Sequence, residues 1–195
     1  LKGSNFNANN FAKKALDLGA IYSIIDEKPV DKNNKFILVK DVLKTLQDLA
    51  NFHREYLAIP IIAITGSNGK TTTKELINNV LSESYKTHAT QGNYNNHIGV
   101  PITLLQMNLQ TQIGIVEMGA NHIGEIAKLC QIINPNFGHI TNFCKAHLEG
   151  FGSEAGVIKG KTELYDYLIS KGAHIFINLD DYKQLEQIKD YTNIY

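Results

Sequence analysis

The chain has 195 residues, and 19 Lys plus Arg against 19 Asp plus Glu give a formal charge of zero. That balance excludes the basic footprint of a nucleic-acid or membrane-surface binder. Eighteen of the nineteen basic residues are Lys, so Arg54 is the only guanidinium that could read a base or carboxylate with a planar fork. A hydrophobic share of 43% describes a globular chain, long enough for one large domain or a medium one with a smaller piece.

The opening Leu1-Lys2-Gly3 has no initiator Met, as expected of a processed chain or a cut of something longer, and no signal peptide is expected from its pattern. Residues 8–18 read as a short amphipathic helix, with Phe11, Ala15 and Leu18 on one face and Gly19 as its stop. Strand-type runs at 20–25 and 36–39 flank a polar loop with Pro29 and Asn33-Asn34. Asp41 caps a helix reaching residue 56, whose predicted apolar face is Val42, Leu46, Leu49 and Phe52. Residues 1–57 thus form a small α/β piece.

From Pro60 the rhythm changes. Ile61-Ile62-Ala63-Ile64 is a continuous apolar run, the mark of a strand buried on both faces of a parallel sheet. Helical patterns at 71–83, 124–133, 154–170 and 181–191 alternate with apolar runs at 113–116, 138–140 and 173–177. Ile194-Tyr195 reads as the start of another strand. This alternation predicts an α/β fold with a doubly wound parallel sheet over 58–195. The longest apolar stretch, 57–64, is interrupted by Pro60 and falls far below the ~20 residues that span a bilayer, so no membrane insertion is expected. Cys130 and Cys144 match no metal spacing and are too few for a disulfide framework, which suits a reduced, cytoplasmic protein.

The predicted strand at 61–65 runs into Gly66-Ser67-Asn68-Gly69-Lys70-Thr71-Thr72 and then into a helical pattern. Glycines let backbone N–H groups approach phosphate oxygens. The helix start adds partial positive charge, a Lys there reaches the β/γ-phosphates, and the Thr after it can take Mg²⁺. The general phosphate-loop pattern would need Gly at position 64, which is Ile64, so the loop is a variant; the plain alternative is a glycine turn before an exposed Lys.

Further candidates follow the other strands. Glu117 closes the run at 113–116, where a carboxylate suits a hard cation on phosphate or is an ordinary strand-end acid. Asn142 and His147 follow the run at 138–140. Lys161 lies on the apolar stripe Val157, Leu164 and Leu168 of the predicted helix at 154–170. A buried ammonium is costly. Lys161 therefore snorkels, pairs with an acid such as Glu163 or Glu117, or loses its proton and adds CO₂ to become an anionic carbamate able to bind a metal.

Taken in order, Thr65 to Thr73, Asn95-Asn96-His97-Ile98-Gly99-Val100-Pro101, Glu117-Met118-Gly119-Ala120, the run 146–152 and Lys161-Thr162-Glu163-Leu164-Tyr165 resemble the Mur ligase family, the ATP-dependent amide-forming enzymes of peptidoglycan assembly. Within it, the runs at 99–105, 117–120 and 146–152 look most like the member that joins D-alanyl-D-alanine to UDP-N-acetylmuramoyl-tripeptide. The resemblance implies ATP held by 66–72 and Asn142, with Lys70 on the β/γ-phosphates. It implies two Mg²⁺ sites using Thr71, Glu117 and His147, a carbamylated lysine at Lys161, and Asn95 and Asn96 near substrate. It implies a monomer and a three-domain enzyme of which this chain is a fragment, with 1–57 as the end of the UDP-substrate domain, 58–195 as the ATP-binding domain and the C-terminal domain expected beyond it. Alternatives of the same class are another Mur-type ligase or a folylpolyglutamate synthase. One of a different class is a nucleotide-binding module without ligase activity of its own.

Overall fold

Ile61 to Thr65 bury every side chain, and that burial puts this strand at the centre of a sheet covered on both faces. The computed structural model describes residues 1–29, 33–144 and 148–195. It contains two compact units, Leu1–Leu49 and Ala50–Tyr195.

The first unit holds a short antiparallel pair, β1 (Lys2–Gly3) and β2 (Phe6–Asn7), and a parallel pair, β3 (Ser23–Ile25) and β4 (Phe36–Leu38). The helix expected at 8–18 is a 3₁₀ turn, Ala8–Phe11, followed by α1 (Ala12–Asp17). The Asn7 side chain accepts from the Asn9 N–H and so caps that turn. Helix α2 (Val42–Leu57) starts in this unit and finishes in the second. Its later face departs from the expected one. Phe52 is 68% exposed, while Arg54 is 6% exposed beside buried Ala50. The Arg54 guanidinium donates to the backbone oxygens of Ile133 at 2.9 Å and Asn134 at 3.0 Å, and to Asn136 Oδ1 at 2.9 Å. Three convergent acceptors outweigh the apolar preference for that face.

The second unit is a five-stranded, all-parallel sheet in the order β6-β7-β5-β8-β9, built from β5 (Ile61–Thr65), β6 (Thr87–Ala89), β7 (Ile113–Glu117), β8 (Phe137–Ile140) and β9 (His174–Phe176). Helix α3 (Lys70–Ser82) covers one face, where Ile77 and Leu81 pack on Ile62, Ile64 and Ile115. The other face carries the larger core, with Val100 and Leu104 of α4 (Gly99–Gln106), Ile126 and Ile133 of α5 (Glu125–Ile133) and Leu164 and Leu168 of α7 (Glu154–Lys171). A short α6 (Leu148–Phe151) precedes α7, and α8 (Tyr182–Ile188) follows β9. Ile194 pairs in parallel with Ile175 of β9, as the apolar ending predicted.

Strand β5 leads to a helix on one face and β7 to a helix on the other. Such a divergence opens a crevice beyond the carboxyl ends of the strands. This is the α/β, doubly wound arrangement expected. Among the described residues no helix is long and apolar enough to cross a membrane.

Candidate nucleotide and metal site

The glycine loop is fixed before any ligand enters. Gly66 has φ +140°, and a Cβ there would lie 2.0 Å from Thr141 Oγ1 and 3.0 Å from the Thr141 backbone nitrogen, so only Gly fits. Thr141 in turn donates through its hydroxyl to the Asn68 carbonyl at 2.6 Å. Asn142 Nδ2 donates to the same carbonyl at 3.1 Å, and Asn142 Oδ1 accepts the Asn68 N–H at 3.2 Å. Ser67 donates its hydroxyl to the Cys144 carbonyl at 2.7 Å. The residues after β8 thus pin the loop that follows β5. Asn142 belongs to this pinning set.

Gly69, at φ +78°, occupies the N-cap of α3 in the left-handed region. Lys70 then curls back over the loop, donating to the Gly66 carbonyl at 2.9 Å and the Ser67 carbonyl at 3.2 Å. Burial lowers its pKa, and the Glu117 carboxylate opposes that shift. The helix start and a half-buried ammonium make the crevice attractive to phosphate.

Glu117, 2% exposed, ends β7 at the same mouth. Its carboxylate accepts from Thr71 Oγ1 at 2.9 Å and from Asn95 Nδ2 at 2.8 Å. A carboxylate and a hydroxyl are hard oxygen donors in reach of each other. Among the described residues no group of three or more His, Cys, Asp or Glu could enclose a metal. The Thr71 hydroxyl and the Glu117 carboxylate suit Mg²⁺, which takes one or two protein oxygens and completes its shell with water and phosphate. Asn96 has a different position from Asn95. Its Oδ1 accepts the N–H groups of Ile98 at 3.0 Å and Gly99 at 2.9 Å, holding the start of α4.

Lys161 is 1% exposed, on the stripe with Val157, Leu164 and Leu168 as the spacing predicted. It pairs with neither expected acid. Its ammonium donates to the Ala120 carbonyl at 3.2 Å and lies 5.2 Å from the centre of the Phe151 ring. Glu163 instead accepts the N–H groups of Gly124 at 2.5 Å and Ala127 at 2.9 Å, capping α5. Burial first, and then the charge of Lys70, push the Lys161 pKa down to about 8, with Glu125 and Glu163 opposing. His147 lies outside the described residues.

Besides Arg54, a buried lysine was missed in the sequence. Lys74 is 1% exposed and donates to the Thr90 carbonyl at 2.6 Å. The signal was available, because Lys74 shares the stripe of Ile77 and Leu81 at helical spacing, as Lys161 shares its own.

Residues 64–194 match the Mur ligase middle domain. The chain is 40% identical over 179 residues to the UDP-N-acetylmuramoyl-tripeptide–D-alanyl-D-alanine ligase of Bacillus subtilis, covering 91% of this chain and 39% of that protein. It is 39% identical over 181 residues to the ligase of the same name from Escherichia coli, covering 93% of this chain and 40% of that protein. Among solved structures, MurF from Acinetobacter baumannii aligns over 100% of this chain and 43% of its own, with 34% identity and a TM-score of 0.89. MurF ligase from Thermotoga maritima, in complex with ADP, aligns over 100% of this chain and 45% of its own, with 32% identity and a TM-score of 0.89. The chain spans about two fifths of the length of the curated relatives it matches. With its glycine loop, its parallel sheet and a domain match over most of its length, the chain belongs to the Mur ligase family.

Proposed function

We propose that the chain carries the ATP-using core of a ligase that joins D-alanyl-D-alanine to UDP-N-acetylmuramoyl-tripeptide, in cytoplasmic synthesis of peptidoglycan precursors. The observation that carries this reading is the meeting of Thr71 and Glu117 at the mouth of the loop crossed by Lys70. The names of the similar ligases supply the substrates.

In this reading the terminal carboxylate of the UDP-linked peptide attacks the γ-phosphorus of ATP, and the bond to ADP breaks. The resulting acyl phosphate takes the dipeptide amine at its carbonyl carbon. The tetrahedral adduct then expels inorganic phosphate, the amine gives up its proton, and an amide remains. The backbone N–H groups at the start of α3 hold the phosphates, and the Lys70 ammonium offsets the charge that builds on them. Mg²⁺, when bound at two sites, would supply Lewis-acid charge to the transferring phosphoryl group. Thr71 and Glu117 would hold the first ion, and His147 would serve the second. Asn95 orients the Glu117 carboxylate, and Asn95 and Asn96 border the peptide substrate. The pKa of Lys161 leaves part of its amine neutral near neutral pH. A neutral amine adds CO₂ with loss of a proton, and the resulting carbamate would serve as a further metal ligand. The first 57 residues contribute to the site for the UDP-linked substrate, and the protein acts as a monomer.

The test is phosphate release by the product of the complete open reading frame, with ATP, Mg²⁺ and the UDP-linked tripeptide. Release that depends on D-alanyl-D-alanine is the expected result. Release that depends instead on a free diamino acid or on glutamate would assign a different ligation.

A further inference from the structure

Lys74 has no part in the phosphate and metal contacts above, yet it is 1% exposed and lies in the first half of α3. A lysine so buried is retained against a desolvation penalty, and a well-packed apolar residue of similar volume is often as stable or more so. Its partners indicate a different use. The ammonium donates to the Thr90 carbonyl at 2.6 Å and pairs with Glu75 Oε1 at 2.7 Å. Thr90, itself 1% exposed, follows β6 and is held to β7 through its N–H on the Ile115 carbonyl at 3.0 Å. Its hydroxyl accepts the Glu117 N–H at 2.9 Å.

Thr90 is therefore a junction. Lys74 of α3 grips its carbonyl, and its hydroxyl fixes the backbone of the residue whose carboxylate meets Thr71. The segment leaving Thr90 carries Asn95, which bonds the other oxygen of that carboxylate at 2.8 Å. The Asn95 carbonyl also accepts the Gly119 N–H at 2.7 Å. Hydrogen bonds thus connect Lys74 through Thr90 to the Glu117 backbone, and Asn95 and Thr71 hold the two oxygens of its carboxylate.

We propose that Lys74 is a positioning residue that acts through Thr90 to hold the Glu117 carboxylate in place for a divalent cation bound with nucleotide. This rests on the reading of the crevice as an Mg-ATP site. Groups behind a ligand tune metal affinity by fixing the ligand's orientation, with losses of about 10- to 100-fold when they are removed.

The experiment is calorimetric titration of the full chain with ATP, once in excess Mg²⁺ and once in EDTA, the ratio of the two affinities giving the gain due to metal. Glu117→Gln is the reference variant and is expected to lose that gain. Lys74→Met and Thr90→Val are expected to lose about tenfold of it, with ATP affinity in EDTA close to wild type. Thr90→Ser, which keeps the hydroxyl, is expected to retain the full gain; a protein that merely packs poorly around residue 90 would not separate Ser from Val this way. If Lys74→Met lacks a cooperative thermal transition, Thr90→Val decides alone. Full metal gain in Lys74→Met and Thr90→Val alongside its loss in Glu117→Gln would overturn the proposal while leaving the ATP reading intact. Wild type without ATP binding, or Glu117→Gln with undiminished gain, would overturn the ATP-metal reading and the role of Lys74 with it.

Discussion

Thr71 Oγ1 donates to the Glu117 carboxylate across 2.9 Å, joining the first turn of α3 to the last residue of β7. Helix α3 packs against β7 through Ile77, Leu81 and Ile115, and the pair at their ends marks where a cation would sit between protein and phosphate. Removing the hydroxyl should take away one oxygen donor and the bond that orients the other. Thr71→Val is expected to weaken Mg-ATP binding about tenfold, or ~1.4 kcal/mol, and to leave ATP binding in EDTA nearly unchanged. Calorimetric titration under the two conditions checks this.

Gly66 is enclosed on the side where a side chain would point. In Gly66→Ala the new methyl would meet Thr141, whose hydroxyl is engaged by Asn68 and whose N–H is engaged by the Thr65 carbonyl. The neighbour cannot yield without releasing both bonds, and φ +140° disfavours Ala on its own account. The variant should lose about 2 kcal/mol or more of stability, measured by urea unfolding, and should bind nucleotide poorly.

Lys161 gives a signed pH dependence. Its folded pKa of about 8 lies below the ordinary 10.5, chiefly through burial. Below pH 8 the folded state carries the full burden of a buried ammonium. Between about 8 and 10.5 the unfolded chain holds a proton that the folded chain has released, so stability rises with pH through that window, by ~3 kcal/mol in all. Burial raises the pKa of Cys130 and Tyr165, which gives the opposite slope at higher pH. Those two are common to wild type and variant, so the difference isolates Lys161. Wild type minus Lys161→Met, from urea midpoints across this range in CO₂-free buffer that keeps the amine unmodified, should climb with pH. A flat difference would contradict the burial of a free amine. With labelled bicarbonate, a carbamate signal absent from Lys161→Met is the expected mark of the modified form.

Arg54 holds three acceptors at the end of α5 and beyond. Arg54→Met leaves the carbonyls of Ile133 and Asn134 and the Asn136 side chain without that donor. The expected loss is about 3 kcal/mol, followed by circular dichroism because the chain has no Trp. Arg54→Lys should recover little, since a point ammonium cannot serve three acceptors spread along a planar fork.

Much of the second unit was legible because its signals are local. An unbroken apolar run gave β5, helical spacing gave α5 and α7, and the glycine loop between β5 and α3 marked the proposed phosphate site. Lys161 stood out as a cation on an apolar stripe, and the same test applied to Lys74, Ile77 and Leu81 would have exposed the second buried lysine. Strand β6 was not legible, since Thr87–Ala89 offers three half-buried residues and no apolar run. Helix α4 was hidden by Gly99 and Pro101 in its first turn, where Pro is tolerated, with Asn96 supplying the cap from outside. The role of Glu163 was misjudged for a different reason. Sequence proximity suggested a partner for Lys161, but the side chain faces the open N–H groups of α5, a relation set by tertiary packing alone. Arg54 likewise has its acceptors some 80 positions away.

The central claim is that the crevice at the start of α3 binds ATP through Lys70. Titration of the chain with Mg-ATP, wild type against Lys70→Ala, tests it most directly. The structure predicts saturable one-site binding that weakens at least about tenfold in the variant, the loss expected when a charge-assisted contact to phosphate is removed. Equal affinity in the two proteins would contradict the claim.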